Sequence, residues 1–398
     1  MIKTAIMGYG VVGSGVYEIM RENKKHIARN LGEELDIKYI LDIRDFSDHG
    51  EKELFVKDAD IIANDPEVKI VAETMGGVTF AYEYTKKMLS AGKSVVTSNK
   101  ELVASKGVEL FKIAKEHDAM YLYEASVGGG IPIIRPFVNC LAANRISSVA
   151  GILNGTTNYI LTKMFKEKSS FEKALSEAQE LGYAEKDPSS DVEGHDTARK
   201  IAILMALAFG SAISEKDIET EGITNITGED VCCAGNMGYT VKLIGYGFIQ
   251  DEKVFARVCP MLINYKHPLA AVEDVFNAAM IKGDMVGDVM MYGKGAGKSA
   301  TASAVVADMM DAARHKCRFD ARFTWGEEKE GTFIDPQLTK SAFFVRCEKS
   351  MSDVKAVFGN VSFSDSGNAF ITEEMTEAEF SDKSARLGGI ISKIRLYK

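Results

Sequence analysis

The first third of the chain alternates short apolar runs with stretches of helical periodicity. Residues 3–8 read as an apolar strand that leads into Gly8-Tyr9-Gly10-Val11-Val12-Gly13, and a helix follows to about residue 23. Apolar runs at 37–43, 70–75, 94–97 and 120–124 are separated by helical patterns. One of these, 80–92, ends in a glycine that can supply a left-handed cap. Short buried strands alternating with helices predict an α/β unit with a doubly wound parallel sheet.

The rhythm changes after Gly128-Gly129-Gly130-Ile131-Pro132. Helical segments at 156–167, 170–181 and 195–209 come first, the second with Phe171, Ala174, Leu175, Ala178 and Leu181 at helical spacing. Strand-like runs at 240–249, 254–263, 277–282 and 287–292 follow without long helices between them. They predict a mostly antiparallel α+β block over 133–300. A second glycine turn, Gly293-Lys294-Gly295-Ala296-Gly297, precedes a small-residue helix at 301–314. From 338 to 398 the pattern is strand, helix, strand, strand, helix, strand. That is a small βαββαβ, ferredoxin-like module, reached through a polar linker at 326–335.

Composition adds exclusions. A length of 398 residues allows two or three domains, and 46% apolar with 26% charged residues excludes a disordered or fibrous chain. No apolar run reaches the ~18 residues of a membrane span. The chain enters its first glycine turn at Gly8, which leaves no room for a signal peptide, so a cytoplasmic location is expected. A net charge of −9 disfavours a nucleic-acid coat. The six cysteines form no C-x-x-C pair and the six histidines no H-x-x-x-H pair, which points to reduced thiols and no zinc site.

The candidate chemistry sits in the turns. Gly8-x-Gly10-x-x-Gly13 between strand and helix is a dinucleotide fingerprint: a tight turn, a close backbone approach to pyrophosphate, and close helix–strand packing. It makes 1–132 a Rossmann-type unit. At the end of the second strand, Asp42 would bind a ribose 2′-hydroxyl and Arg44 a 2′-phosphate, so NAD and NADP both stay open. Val95–Glu101 puts polar groups, Lys100 among them, at the carboxyl end of a strand. The turn Glu124 to Ile131 exposes carbonyls beside one carboxylate, which suits a hard cation or a plain hinge. The densest constellation runs from Leu181 to Lys200. Carboxylates crowd a loop between two helices, and Asp196 and Lys200, four apart, share a helix face at the edge of the apolar run 201–209.

These motifs together resemble the homoserine dehydrogenase family. The family signature A-x-x-x-G-[aromatic]-A-x-x-D-P-x-x-D-[aliphatic]-x-G-x-D-x-x-x-K is met from Ala178 to Lys200 without a break. Family-like segments at Gly8–Gly13, Glu73–Gly77, Val95–Lys100, Glu124–Pro132, Gly151–Asn158 and Gly293–Ala304 occur in the family's order. The resemblance implies interconversion of L-homoserine and L-aspartate 4-semialdehyde with NAD or NADP, on the way to threonine and methionine. It implies Lys200 as proton donor and acceptor, Glu185 and Asp196 on the amino-acid end of the substrate, and Lys100 beside the substrate and the nicotinamide ribose. It further implies Gly8, Gly10, Val11, Val12, Gly13, Arg44, Thr97, Gly182, Glu185 and Gly295 at the cofactor. A structural sodium ion would sit on Glu124, Val127, Gly129 and Ile131, largely through backbone carbonyls. A homodimer through the central block is implied, with the helix at 301–314 returning to the Rossmann domain. The tail resembles an ACT module, but 348–353 lacks the D-x-x-G-V-L turn that usually receives an amino-acid effector. Two other readings stand beside this one: another Rossmann dehydrogenase of an amino-acid semialdehyde, and a catalytically inactive nucleotide and amino-acid sensor. Intact Glu185, Asp196 and Lys200 speak against the sensor.

Overall fold

Strand Ile2–Met7, with Ala5, Ile6 and Met7 fully buried, lies inside a six-stranded sheet. The structure, a computed structural model, describes residues 1–397. The strand order in this sheet is Phe55–Val56, Leu35–Leu41, Ile2–Met7, Val68–Glu73, Ser94–Thr97, Tyr121–Leu122, and every neighbouring pair is parallel. The order reverses on either side of Ile2–Met7, and open α/β sheets bind ligands at that switch, outside the carboxyl ends of the strands. Helices Val11–Glu22, Thr79–Ser90 and Lys100–Glu116 belong to the same unit, as does Lys298–Arg314. The last packs on the first so closely that a Cβ at Gly15 would stand 2.9 Å from that of Ala302.

The second strand is shorter at its end than the apolar run 37–43 suggested. It stops at Leu41, paired with Met7, and Ile43 is 87% exposed. The chain turns at Asp42 instead, whose carboxylate accepts from the backbone N–H of Tyr9 at 2.7 Å and of Arg44 at 2.9 Å.

The chain divides into two units, Met1–Arg145 with Ala202–Glu215 and Gly283–Lys329, and Ile146–Ile201 with Lys216–Lys282 and the stretch from Glu330. In the second unit the strand order is Phe276–Gly283, Ile146–Ile152, Tyr239–Gln250, Lys253–Asn264, Ile390–Leu396, Phe343–Cys347, Ala369–Thr372, Val361–Phe363. Tyr239–Gln250 and Lys253–Asn264 make one long antiparallel hairpin. It turns at Asp251 and Glu252, both in the left-handed region as a two-residue hairpin loop demands.

The tail forms the βαββαβ arrangement, with Phe343, Val354, Phe358, Phe370 and Phe380 in its core. It is not set apart from the central block, however. Ile390–Leu396 pairs in parallel with Lys253–Asn264 through Met261–Arg395 and Leu262–Leu396, on the edge where Glu219–Thr220 also pairs at Arg257 and Val258. Buried ion pairs follow the same seam. Arg257 and Arg395 share Glu377, and Arg346 meets Asp230 at 2.6 Å. Residues of the polar stretch 326–335 also join this unit, where Phe333 bridges Val254.

Candidate active site

The expected site residues fall into two groups, one in each unit. In the first, the turn after Ile2–Met7 depends on each of its glycines differently. Gly8 has φ +92°, a Cβ at Gly13 would lie 1.9 Å from the Gly8 carbonyl oxygen, and at Gly10 nothing lies within 4 Å. Helix Val11–Glu22 therefore starts against the turn with no side-chain cap, its first N–H groups open beside Val11 and Val12. An uncapped helix N-terminus beside a cleared glycine fits a dinucleotide pyrophosphate. At the neighbouring strand end, Arg44 forks onto Asp42 at 3.0 and 2.8 Å and lies over the Phe46 ring. That fork, with burial opposing it and the Arg44 and Tyr9 N–H groups assisting, holds the Asp42 carboxyl well below the usual range.

Thr97 is fully buried, and its hydroxyl donates to Glu73 at 2.5 Å and accepts from the Asn99 N–H at 2.9 Å. Burial pushes the Glu73 carboxyl up to about 7, against the bonds from Thr97 and from the Met75 N–H. Lys100, half-buried, opens helix Lys100–Glu116 directly after its Asn99 cap.

At the next turn the Glu124 side chain is committed to its own chain. Both carboxylate oxygens are engaged, accepting from the N–H groups of Ile133, Ile134 and Arg135 at 2.5, 2.8 and 2.7 Å. The side chain thus pins the chain rather than offering itself to a cation. Among the described residues no cluster of His, Cys, Asp and Glu could hold a metal ion. The main-chain carbonyls of Glu124, Val127, Gly129 and Ile131 are oxygen groups of the kind that fits a hard ion. Gly129, φ +55°, also passes so near Gly295 that a Cβ would lie 2.3 Å from its carbonyl oxygen.

In the second unit, Lys200 is 8% and Asp196 5% exposed, on the first turns of helix His195–Phe209. Lys200 Nζ donates to Asp196 Oδ2 at 2.8 Å and to the Leu153 carbonyl at 2.7 Å. An ammonium has three hydrogens, so a third is left for another oxygen. Asn154 and Asp191, given no role from the sequence, belong to the same cluster: Asn154 Nδ2 donates to Asp191 Oδ1 and to Asp196 Oδ2. The carboxylate-rich loop hinted at Asp191. Asn154 stood in the family-like segment Gly151–Asn158 without a role, and in the structure it also caps helix Gly155–Glu167. Glu185 and Gly182 are exposed on the loop between helices Phe171–Glu180 and Ser189–Val192. Gly182 has φ +74°, and the Glu185 carbonyl accepts from Gln179.

Two family models match the chain, the homoserine dehydrogenase NAD-binding domain over residues 8–124 and homoserine dehydrogenase over residues 132–310. The homoserine dehydrogenase of Bacillus subtilis is 41% identical over 359 residues, 89% of this chain and 79% of that protein. The chain belongs to the homoserine dehydrogenase family. The family's homoserine dehydrogenase of Synechocystis is 35% identical, covering 99% of this chain and 93% of its own. A homoserine dehydrogenase structure from Thiobacillus denitrificans superposes with a TM-score of 0.91 at 34% identity, covering 100% of this chain and 98% of that one. An archaeal homoserine dehydrogenase in complex with NADPH covers 80% of this chain and 99% of its own at 29% identity, with a TM-score of 0.68. As a homoserine dehydrogenase, this chain is an NAD(P)-dependent oxidoreductase of a small amino-acid substrate. The helices of the described residues include none long and apolar enough to cross a membrane.

Proposed function

We propose that the homoserine dehydrogenase reaction is carried by Lys200, with Asp196, Asp191 and Glu185 holding the substrate's ammonium end. The bound nicotinamide supplies or accepts the hydride at the carbon that is aldehyde in one direction and alcohol in the other. The developing alkoxide needs a proton beside it, and the third Lys200 hydrogen can provide that. The carrying observation is that Lys200 is buried and held between the Leu153 carbonyl and the Asp196 carboxylate, which fixes where that hydrogen points. Gly8, Gly10, Val11, Val12 and Gly13 would receive the pyrophosphate, with Lys100, Gly182, Glu185 and Gly295 near the rest of the cofactor. Arg44 supports use of NADP and Asp42 of NAD, so dual use with some preference for NADP is the reading. A sodium ion on the Glu124, Val127, Gly129 and Ile131 carbonyls would be structural, with the Glu124 side chain shaping their turn. A homodimer in the cytoplasm completes the assignment.

Initial rates at 340 nm with L-homoserine and either coenzyme test the reaction, with other amino-acid alcohols as controls. Lys200→Ala should lower kcat by about 10²–10⁴ while substrate binding partly survives. Turnover within threefold of wild type would remove Lys200 from the chemistry.

A further inference from the structure

Asn154 is 6% exposed, and each end of its amide is committed. Oδ1 accepts from the Thr157 N–H at 2.9 Å, which caps helix Gly155–Glu167, and from the Thr157 hydroxyl at 3.1 Å. Nδ2 spends its two hydrogens on different carboxylates, Asp191 Oδ1 at 2.7 Å and Asp196 Oδ2 at 2.9 Å. The same Asp196 oxygen accepts from Lys200, and the carbonyl of the preceding residue, Leu153, takes another Lys200 hydrogen. One dipeptide therefore touches every charged member of the cluster.

The half-buried Asp191 carboxylate and the buried Asp196 carboxylate on one amide repel each other, and donors keep both in place. Burial pushes the Asp191 carboxyl above its usual range. The Asn154 amide works against that, the Asp196 charge adds to it, and Lys200 and Thr156 oppose it. Without the amide donors the pair would separate or share a proton. Either change would blunt its attraction for an ammonium group and would turn the Lys200 head away from its present direction.

We propose that Asn154 is a positioning residue for the reaction: its amide clamps Asp191 and Asp196 together, setting both the seat for the substrate's ammonium and the direction of Lys200 Nζ. The proposal rests on the functional reading of Lys200 and Asp196 given above. Asp and Ser both cap helices about as well as Asn, so Asn154→Asp and Asn154→Ser retain the bond to the Thr157 N–H and remove the amide donors. For Asn154→Asp, KM for homoserine should rise tenfold or more and kcat should fall 10- to 100-fold. The acid limb of kcat/KM should move up by about one pH unit, as Asp191, Asp196 and the new carboxyl hold protons more tightly beside Lys200. Asn154→Ser should change KM and kcat in the same sense by less, and KM for the coenzyme should not move in either variant. Wild-type turnover of homoserine is measured first, and its absence would sink the functional reading and this proposal together. Active wild type, with both variants within threefold in kcat/KM and an unmoved acid limb, would overturn the clamp alone and leave Asn154 as a helix cap. Should Asn154→Asp fail to fold, the Asn154→Ser values decide on the same criteria.

Discussion

Glu73 ends a central strand with its carboxyl wholly buried, raised to about 7 by that burial although Thr97 and the Met75 N–H oppose it. Between the ordinary glutamate range and about 7, the native chain holds a proton that the unfolded chain has released. Stability on this account is greatest at low pH and falls as pH rises through that window. Glu73→Gln removes the titration and can keep an acceptor for Met75. The variant's melting temperature, relative to wild type, should therefore improve from pH 5 to pH 8, by the equivalent of ~3 kcal/mol at most. An unchanged difference between the two pH values would mean that Glu73 does not titrate there. Arg44 acts at the same scale. Its guanidinium is engaged by Asp42 yet more than half exposed, well placed to exchange that partner for a 2′-phosphate. Arg44→Ala should raise KM for NADP more than KM for NAD. Equal changes in steady-state titrations of the two coenzymes would show that Arg44 plays no part in the choice.

At the scale of one element, the first turn separates folding from binding. A methyl at Gly13 would collide with the Gly8 carbonyl, which belongs to the backbone and has no flexible end to yield, whereas a methyl at Gly10 meets no protein atom. Gly13→Ala should lower the melting temperature and abolish coenzyme binding together. Gly10→Ala should melt close to wild type and bind NADP or NAD at least tenfold more weakly, because the added methyl occupies the space beside the pyrophosphate. Calorimetry and fluorescence titration of the two variants read these effects separately. Equal melting temperatures for both would contradict the steric argument. The elements themselves were readable because their periodicity is strong: helix Phe171–Glu180 and strands Tyr239–Gln250 and Lys253–Asn264 stand within two residues of their apolar patterns. The end of Leu35–Leu41 was not, because Ile43 continues the apolar run while parallel pairing with Ile2–Met7 stops at Leu41.

For the molecule as a whole, the tail is part of the second unit's framework. Glu377 is buried, which raises its carboxyl, but Arg395, Arg257 and Lys393 outweigh burial and hold it below the usual range. Removing one member of a buried ionic group leaves the others uncompensated, typically at 3–5 kcal/mol. Deleting residues 330–398 should therefore yield aggregated or inactive protein. Glu377→Gln should lower the melting temperature by several degrees, most clearly near neutral pH, where the native carboxylate is ionised. Soluble, fully active truncated protein would show the seam to be dispensable. Inside the tail, residues 348–353 fold into a Ser350-capped start of helix Met351–Phe358 and supply no glycine turn for an effector carboxylate. Threonine titrated against the initial rate of the full chain should give weak inhibition or none, and strong inhibition would show that this turn still senses it.

Local patterns determined the strand–turn–helix fingerprint, the antiparallel middle, the βαββαβ tail and the pair Asp196 and Lys200, because each depends on residues a few positions apart. What lay beyond the sequence depends on partners far along the chain. Asn154 reaches Asp191 and Asp196, 37 and 42 residues away, and nothing local distinguishes an amide that clamps two carboxylates from one that only caps a helix. That the Glu124 carboxylate is occupied by N–H groups nine to eleven residues on is likewise visible only in the folded chain. The tail could be recognised as a module, but its union with the central sheet required Arg395 to lie beside Met261 and to meet Glu377 and Glu221, a pairing that only the folded chain brings about.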